Sequence, residues 1–264
     1  MMFVPPPGAN NSLRLDRVVK RLRLASGCKL ILDAADARSY ASGQSWLDRS
    51  GGGYDFYLGA TGSSEGSDPA FTGTPGTLGA YWAFDGGDWF AYDSANETWM
   101  NNLHKSGAKC TFLFWLYIPD LTANNGLFST RANTNNQIGV SLHLTSAELL
   151  VVQVSNNPSS VMTATSAGAV PQGAWALVAI SVDEAAGAGG SHFFINGSSE
   201  TFNGAYTSPS SSAATSVLSL MSRNGFNPFQ NGSRIAAVAA WEGVALTAAQ
   251  LTALYQATRR RFGV

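Results

Sequence analysis

From Cys28 onward the chain is written in short apolar runs separated by glycine, asparagine, serine and proline. TFLFWLYIP (residues 111–119) is apolar at nearly every position, the pattern of a strand buried on both faces. QIGVSLHLT (137–145) alternates instead: Ile138, Val140, Leu142 and Leu144 share one face, which puts His143 on the other and predicts a surface histidine. ELLVVQVS, AWALVAISVD, HFFINGSSETF, SVLSLMS and RIAAVAAWEG follow, each bounded by turn residues. Runs of this length and spacing predict an all-β protein, an antiparallel two-sheet jelly-roll sandwich. The Asn-Gly of INGS (195–198) predicts a hairpin.

Two segments change period. NSLRLDRVVKRLRL places Leu15, Val18, Val19 and Leu22 three and four apart with basic residues between them. This predicts a short basic helix over about 12–24, capped by Ser12, stopped by Gly27, and outside the main core. Near the C-terminus, LTAAQLTALYQATRRRF predicts a second helix capped by Thr247, with Leu251, Leu254, Tyr255 and Thr258 on one face. Arg259–Arg261 then sit where cations favour a helix end. Residues 1–26 are expected to form a Pro-rich, basic docking arm, and 27–264 one sandwich domain.

Composition agrees with this plan. Hydrophobic residues make up 45% of the 264 and charged residues only 12%, with 28 glycines. The net charge of −1 hides an asymmetry. Residues 1–24 carry five basic side chains against Asp16, while the middle of the chain is acidic. Basic ends suit a negatively charged partner. Cys28 and Cys110 are too few for a disulfide framework and are expected as free, buried thiols. The opening MMFVPPPGANN lacks the pattern of an export signal, and no apolar run is long enough to span a membrane. The sequons at Asn10, Asn96, Asn196 and Asn231 read as a turn-rich surface.

The order of several short motifs resembles the laminin-G-like, concanavalin-A-like sandwiches found in bacterial and phage proteins. LDAADARSYASGQSWLDRSGGGYDFYLG carries the Trp46, Asp48, Ser50, Gly51 and Gly53 turn. FDGGDWF resembles a Phe-Asp-Gly-x-Asp step, and SHFFINGS the family's hairpin. NGSRIAAVAAWEGVALTAAQLTALY resembles its closing strand and helix. The resemblance spans about 28–258 and implies a module that binds carbohydrates, proteins or other surfaces. It also implies a possible calcium ion at the sandwich rim.

Candidate chemistry is sparse. The six glutamates lack the paired spacing of a sandwich glycosidase, and no nucleophile elbow occurs, so no enzyme activity is expected. Three scattered histidines and two cysteines do not space as a zinc site. Asp85 and Asp88 flank a Gly-Gly pair; they are candidate calcium ligands, with ordinary turn chemistry as the competing explanation. Trp82 and Trp89 are candidate sugar-stacking surfaces, with burial in the core as the alternative. Asn224, Phe226 and Asn227 lie in the polar loop SRNGFNPFQNGS and complete the candidate ligand site.

Arg14, Arg17, Lys20, Arg21 and Arg23 are the candidate docking residues. The resemblance includes virion proteins of phages, such as capsid decoration proteins, head or tail fibres and tail-tip modules. The resulting expectation is a non-enzymatic virion protein, made in the host cytoplasm. Its basic arm meets other virion proteins, its sandwich meets a host-surface glycan or protein, and by analogy it is a homotrimer. A free lectin is the alternative. Membrane and nucleic-acid partners are not expected.

Overall fold

The structure is a computed structural model, and it describes residues 12–132, 137–187 and 189–264. The Pro-rich segment and Asn10 lie outside the described residues. In chain order the strands are β1 (Cys28–Asp33), β2 (Ser45–Trp46), β3 (Phe56–Leu58), β4 (Ala70–Thr72), β5 (Tyr81–Ala83), β6 (Phe90–Tyr92), β7 (Lys109–Tyr117) and β8 (Asn125–Ser129). They continue with β9 (Ile138–Leu144), β10 (Leu149–Asn156), β11 (Ser160–Ala169), β12 (Trp175–Asp183), β13 (Ser191–Ile195), β14 (Ser198–Phe202), β15 (Ser219–Leu220) and β16 (Arg234–Glu242). The helices are α1 (Leu15–Arg21), α2 (Thr98–Asn102) and α3 (Ala248–Thr258).

These strands build two eight-stranded antiparallel sheets. Sheet A runs β14-β13-β12-β7-β16-β5-β4, with β1 also paired to β16. Sheet B runs β11-β10-β9-β8-β15-β6-β3-β2. The predicted all-β sandwich is the observed fold.

Sheet A is apolar on both faces, and alternation sorts its side chains. Phe112, Phe114 and Leu116 of β7 point into the inter-sheet core with Val178 and Ile180 of β12 and Val238 of β16. Leu113 and Trp115 of β7, Leu177 of β12 and Trp241 of β16 point the other way. α1 and α3 cover that outer face with Leu15, Val18, Val19, Leu251, Leu254 and Tyr255. The Trp115 indole donates to Thr258 Oγ1 at 2.9 Å, and the Trp241 indole donates to the Leu24 carbonyl at 2.7 Å.

The basic N-terminal helix is therefore half of a second core. Its placement outside the main, inter-sheet core was foreseen; its firm seat on the sandwich was not. The capping residue also differs. The helix begins at Leu15 behind an extended Arg14 with no side-chain cap, because Leu15 N donates to Asp33 Oδ2 at 2.8 Å. α3 has the expected Thr247 cap as a reciprocal capping box with Gln250.

The Asp85–Asp88 turn joins strands of opposite sheets: β5 belongs to sheet A and β6 to sheet B. It is a crossover at the sandwich rim, not a hairpin. INGS is a hairpin as expected, with Asn196 and Gly197 at φ 48° and 96° between β13 and β14. Cys28 and Cys110 are free; Cys110 is buried, and Cys28 only partly so. Burial pushes both thiols up to about 12, so neither is a ready nucleophile.

Candidate functional site

The outer face of sheet B is the counterpart of the helix-covered face of sheet A, and its chemistry is different. Strand register aligns one row of residues across it. Tyr57 pairs with Ala91, Ala91 with Ser219, and Ser219 with Ser129. Ser129 then pairs with Ser141, and Ser141 with Gln153. The inward neighbours, such as Phe56, Phe90, Leu220, Leu142 and Val152, fill the core. A row of small and polar residues thus faces away from it, with none of the aliphatic bulk that recruits a covering helix on sheet A.

The loop after β15 lies on this face. A Cβ on Gly126 would stand 2.3 Å from the carbonyl carbon of Ser222, so only glycine in β8 lets the loop settle there. Arg223 and Phe226 exchange backbone hydrogen bonds of 2.7 and 3.2 Å around Asn224-Gly225, both in the left-handed region (φ 56° and 79°). Ser219 Oγ accepts from Asn224 N, and Ser222 Oγ accepts from Gly225 N. The loop tip is therefore held in place by side chains of its own stem.

Two clefts flank this loop. The first, about 260 Å³, lies over β3 and β6 and is lined by Tyr57, Trp89, Tyr92, Asp93, Val217 and Asn224. Trp89 is half-buried; its six-membered ring lies close to Gly225, and the residue lines the cleft. The second, about 550 Å³, is lined by Asn124, Asn125, Asn227, Gln230 and Asn231 beside Gly86. Phe226 is 56% exposed at the loop tip. The sequence-predicted residues therefore divide: Trp89 and Asn224 meet in the first cleft, and Asn227 belongs to the second.

Trp82 is a correction. It has no exposed surface and packs edge-on against Tyr40, Trp46, Phe71 and Phe90. The reason is register: Trp82 shares the inward row of sheet A with its partner Ile235. His143 is a second correction, being 7% exposed under Arg223 and Arg131 on the outer face of sheet B.

Asp85 is exposed and Asp88 buried. Asp88 Oδ2 accepts from Asp85 N at 2.8 Å, and Asp85 Oδ1 accepts from Gly87 N at 2.9 Å. Each carboxylate thus serves the turn. Burial, reinforced by repulsion from Asp85 and Asp68, pushes the Asp88 carboxyl up to about 6. Among the described residues no group of three or more His, Cys, Asp or Glu side chains is arranged to hold a metal ion.

Of the basic residues in the N-terminal segment, Arg17, Lys20, Arg21 and Arg23 are exposed. Arg14 is drawn inward to Asp36 at 3.3 Å. The helix thus turns its apolar side to sheet A and a basic side to solvent. No helix among the described residues is long and apolar enough to cross a membrane.

Fold and face together define a lectin-type sandwich. The family model described as "Concanavalin A-like lectin/glucanases superfamily" matches residues 85–252, and the chain belongs to this superfamily. Solved structures share the fold at low identity. The receptor-binding domain of botulinum neurotoxin type G is 14% identical with a TM-score of 0.58, over 87% of this chain and 51% of that one. Trypanosoma rangeli sialidase, in complex with sialic acid, is 11% identical with a TM-score of 0.56, over 89% and 34%. The binding domain of botulinum neurotoxin DC in complex with SialylT is 12% identical with a TM-score of 0.56, over 89% and 52%. The chain spans about half the length of these toxin domains and a third of the sialidase. No curated protein sequence matches it.

Proposed function

We propose that this protein is a non-catalytic glycan-binding sandwich whose ligand stacks on Trp89 in the cleft over β3 and β6. The observation that carries this reading is the half-buried Trp89 indole in an open cleft, beside the Asn224 amide and the Asp93 carboxylate. A ring face for sugar C–H groups next to fixed polar groups is the usual composition of a ligand cleft. The structures with the same fold include toxin and sialidase chains in complex with SialylT and sialic acid, which supports a sugar ligand. Among the described residues Asp93 is the one carboxylate lining the cleft, whereas glycosidic cleavage takes two, which supports binding without turnover. A glycan array probed with the full chain tests the reading. Binding to a defined set of oligosaccharides, weakened roughly tenfold or more by Trp89→Ala, is expected. An array on which the wild-type protein finds nothing, or on which Trp89→Ala binds equally, removes it.

The finer reading is display on a phage virion, as a decoration or fibre component. It rests on the exposed basic side of α1, at Arg17, Lys20, Arg21 and Arg23, opposite in sign to the acidic middle of the chain. In this arrangement the basic side meets an acidic virion surface, in a homotrimer, while the cleft faces a host glycan. Density-gradient sedimentation of a native lysate tests it: the protein travels with megadalton particles, or it stays at the top and the virion reading falls.

A further inference from the structure

The larger of the two clefts plays no part in the Trp89 reading, and its walls are built differently. Two amide side chains tie them together. Asn125, 1% exposed, donates through Nδ2 to the Ala123 carbonyl and accepts at Oδ1 from Gln230 N. Gln230 donates through Nε2 to the Asp120 carbonyl at 2.7 Å, and its Oε1 accepts from Thr122 N and Thr122 Oγ1 at 2.8 and 2.9 Å. The segment before β8 is thus fastened to the segment before β16. The Asp85–Asp88 turn closes a third side. Gly86 holds φ 105°, a conformation that favours glycine, and a Cβ there would stand 3.5 Å from Asn231 N.

The 550 Å³ left between these walls is in the range of ligand pockets. Two amides are left over in it. Asn124 and Asn231 line the cleft, both are exposed, and neither side chain makes a hydrogen bond within the described residues. Among the described residues no ionisable or aromatic side chain lines the cleft. Two exposed carboxylates border it in sequence: Asp85 precedes Gly86, and Asp120 comes two residues before Thr122. An amide both donates and accepts, as a hydroxyl does, so free amides in a fixed cleft suit groups of hydroxyls. An anionic group would lose water there with no cation to meet it. An apolar ligand would cover the amides without pairing them.

We propose that this amide-lined cleft is a second saccharide site, selective for uncharged, hydroxyl-rich units. It goes beyond the Trp89 reading and does not depend on it. Asn224 lines one cleft and Asn227 the other. Three residues apart, they lie within about 11 Å of each other. One oligosaccharide is therefore able to reach both clefts across the exposed Phe226 tip.

An array of neutral oligosaccharides of increasing length, with their sialylated and sulfated counterparts, tests this with the full chain. Wild type is expected to bind neutral members. The double variant Asn124→Ala, Asn231→Ala weakens that binding roughly tenfold or more, the loss of two hydrogen-bonding groups. Its melting temperature stays that of wild type, because neither amide holds the fold. Asn231→Lys, which puts a long charged side chain at the cleft, abolishes the same binding. Loss in the double variant but not in Trp89→Ala supports this cleft and removes the Trp89 reading. Loss in either variant supports it as one end of a shared ligand. Neutral-glycan binding that the double variant and Asn231→Lys both leave unchanged overturns the proposal, and the Trp89 reading survives if Trp89→Ala weakens that binding. An array on which wild type binds no neutral glycan also overturns it.

Discussion

Arg261 Nη1 and Asp33 Oδ1 lie 2.7 Å apart with both side chains 1% exposed, so a residue near the C-terminus is paired with the end of β1. The same aspartate accepts from Leu15 N and Ala35 N, and Arg261 Nε donates to the Leu78 carbonyl. One carboxylate thereby fixes the start of α1 and the segment after α3.

Removing it leaves a buried, unpaired guanidinium. Asp33→Ala is expected to cost about 3–5 kcal/mol of stability, read as a shift in the urea midpoint. Asp33→Asn keeps an acceptor and should cost less. A loss below about 1 kcal/mol for Asp33→Ala would mean that the pair behaves as an exposed one. Deleting residues 1–26 would remove Leu15, Val18 and Val19 from the second core and take the Leu24 carbonyl from the Trp241 indole, damaging the sandwich itself. Charge reversal at Arg17, Lys20 and Arg21, all exposed, separates docking from folding.

Trp82 and Trp89 should part company in the same way. Trp82→Ala opens a cavity among Tyr40, Trp46, Phe71 and Phe90 and is expected to cost about 3–5 kcal/mol. Trp89→Ala removes a half-buried ring and should cost less stability but the larger share of glycan affinity. Thermal unfolding and array binding of the two variants, measured together, give opposite rankings. Equal rankings would contradict the assignment of Trp89 to the cleft.

The strands were legible in sequence because period-two alternation and turn residues are local signals. The second core was only half legible: Val18, Val19, Leu251 and Leu254 show helical spacing, but nothing local says that both helices lie on one sheet. The distinction between Trp82 and Trp89 depended on which sheet each strand joins, and turn residues alone do not show that the Asp85–Asp88 turn crosses between sheets. His143 was misplaced for a related reason. Alternation put it on the outer face, correctly, but that face is covered there by a loop from more than seventy residues further on, which only the Gly126–Ser222 approach reveals. Arg131, Gln153 and Arg223 come together with no sequence signal at all, since Arg131 follows β8, Gln153 lies in β10 and Arg223 follows β15.

The Asp85–Asp88 turn predicts a calcium-independent fold with its own pH signature. Asp88 has a folded value of about 6, above the ordinary carboxylate range. Its protonated form suits the fold, so its contribution is fully present below about pH 4 and is lost as pH rises through 6. Asp88→Asn keeps the acceptor for Asp85 N and should gain about 1–2 kcal/mol relative to wild type at pH 7.5, with little difference at pH 4. EDTA should leave the melting temperature unchanged. A saturable calcium-dependent rise that Asp88→Asn abolishes would instead make the pair a metal site.

His143 should act in the opposite sense. Burial, then the charges of Arg223 and Arg131, hold its folded value down at about 3. Among the described residues no carboxylate faces it: Gly126 and Val151 are its cross-strand partners, and Gln153 and Ser141 its neighbours on the same face. The unfolded chain takes up a proton below about pH 6.5 while the folded chain does not, so stability is complete above that value and falls as pH is lowered toward 3. Between pH 6.5 and 4.5 this group alone should cost about 2–3 kcal/mol. His143→Gln cannot take up the proton, so the difference between wild type and variant in urea unfolding should shrink or reverse across that interval. A constant difference from pH 7 to pH 4.5 would show that His143 is not held neutral, and that the two arginines are screened from it by more than the loop and the strands supply.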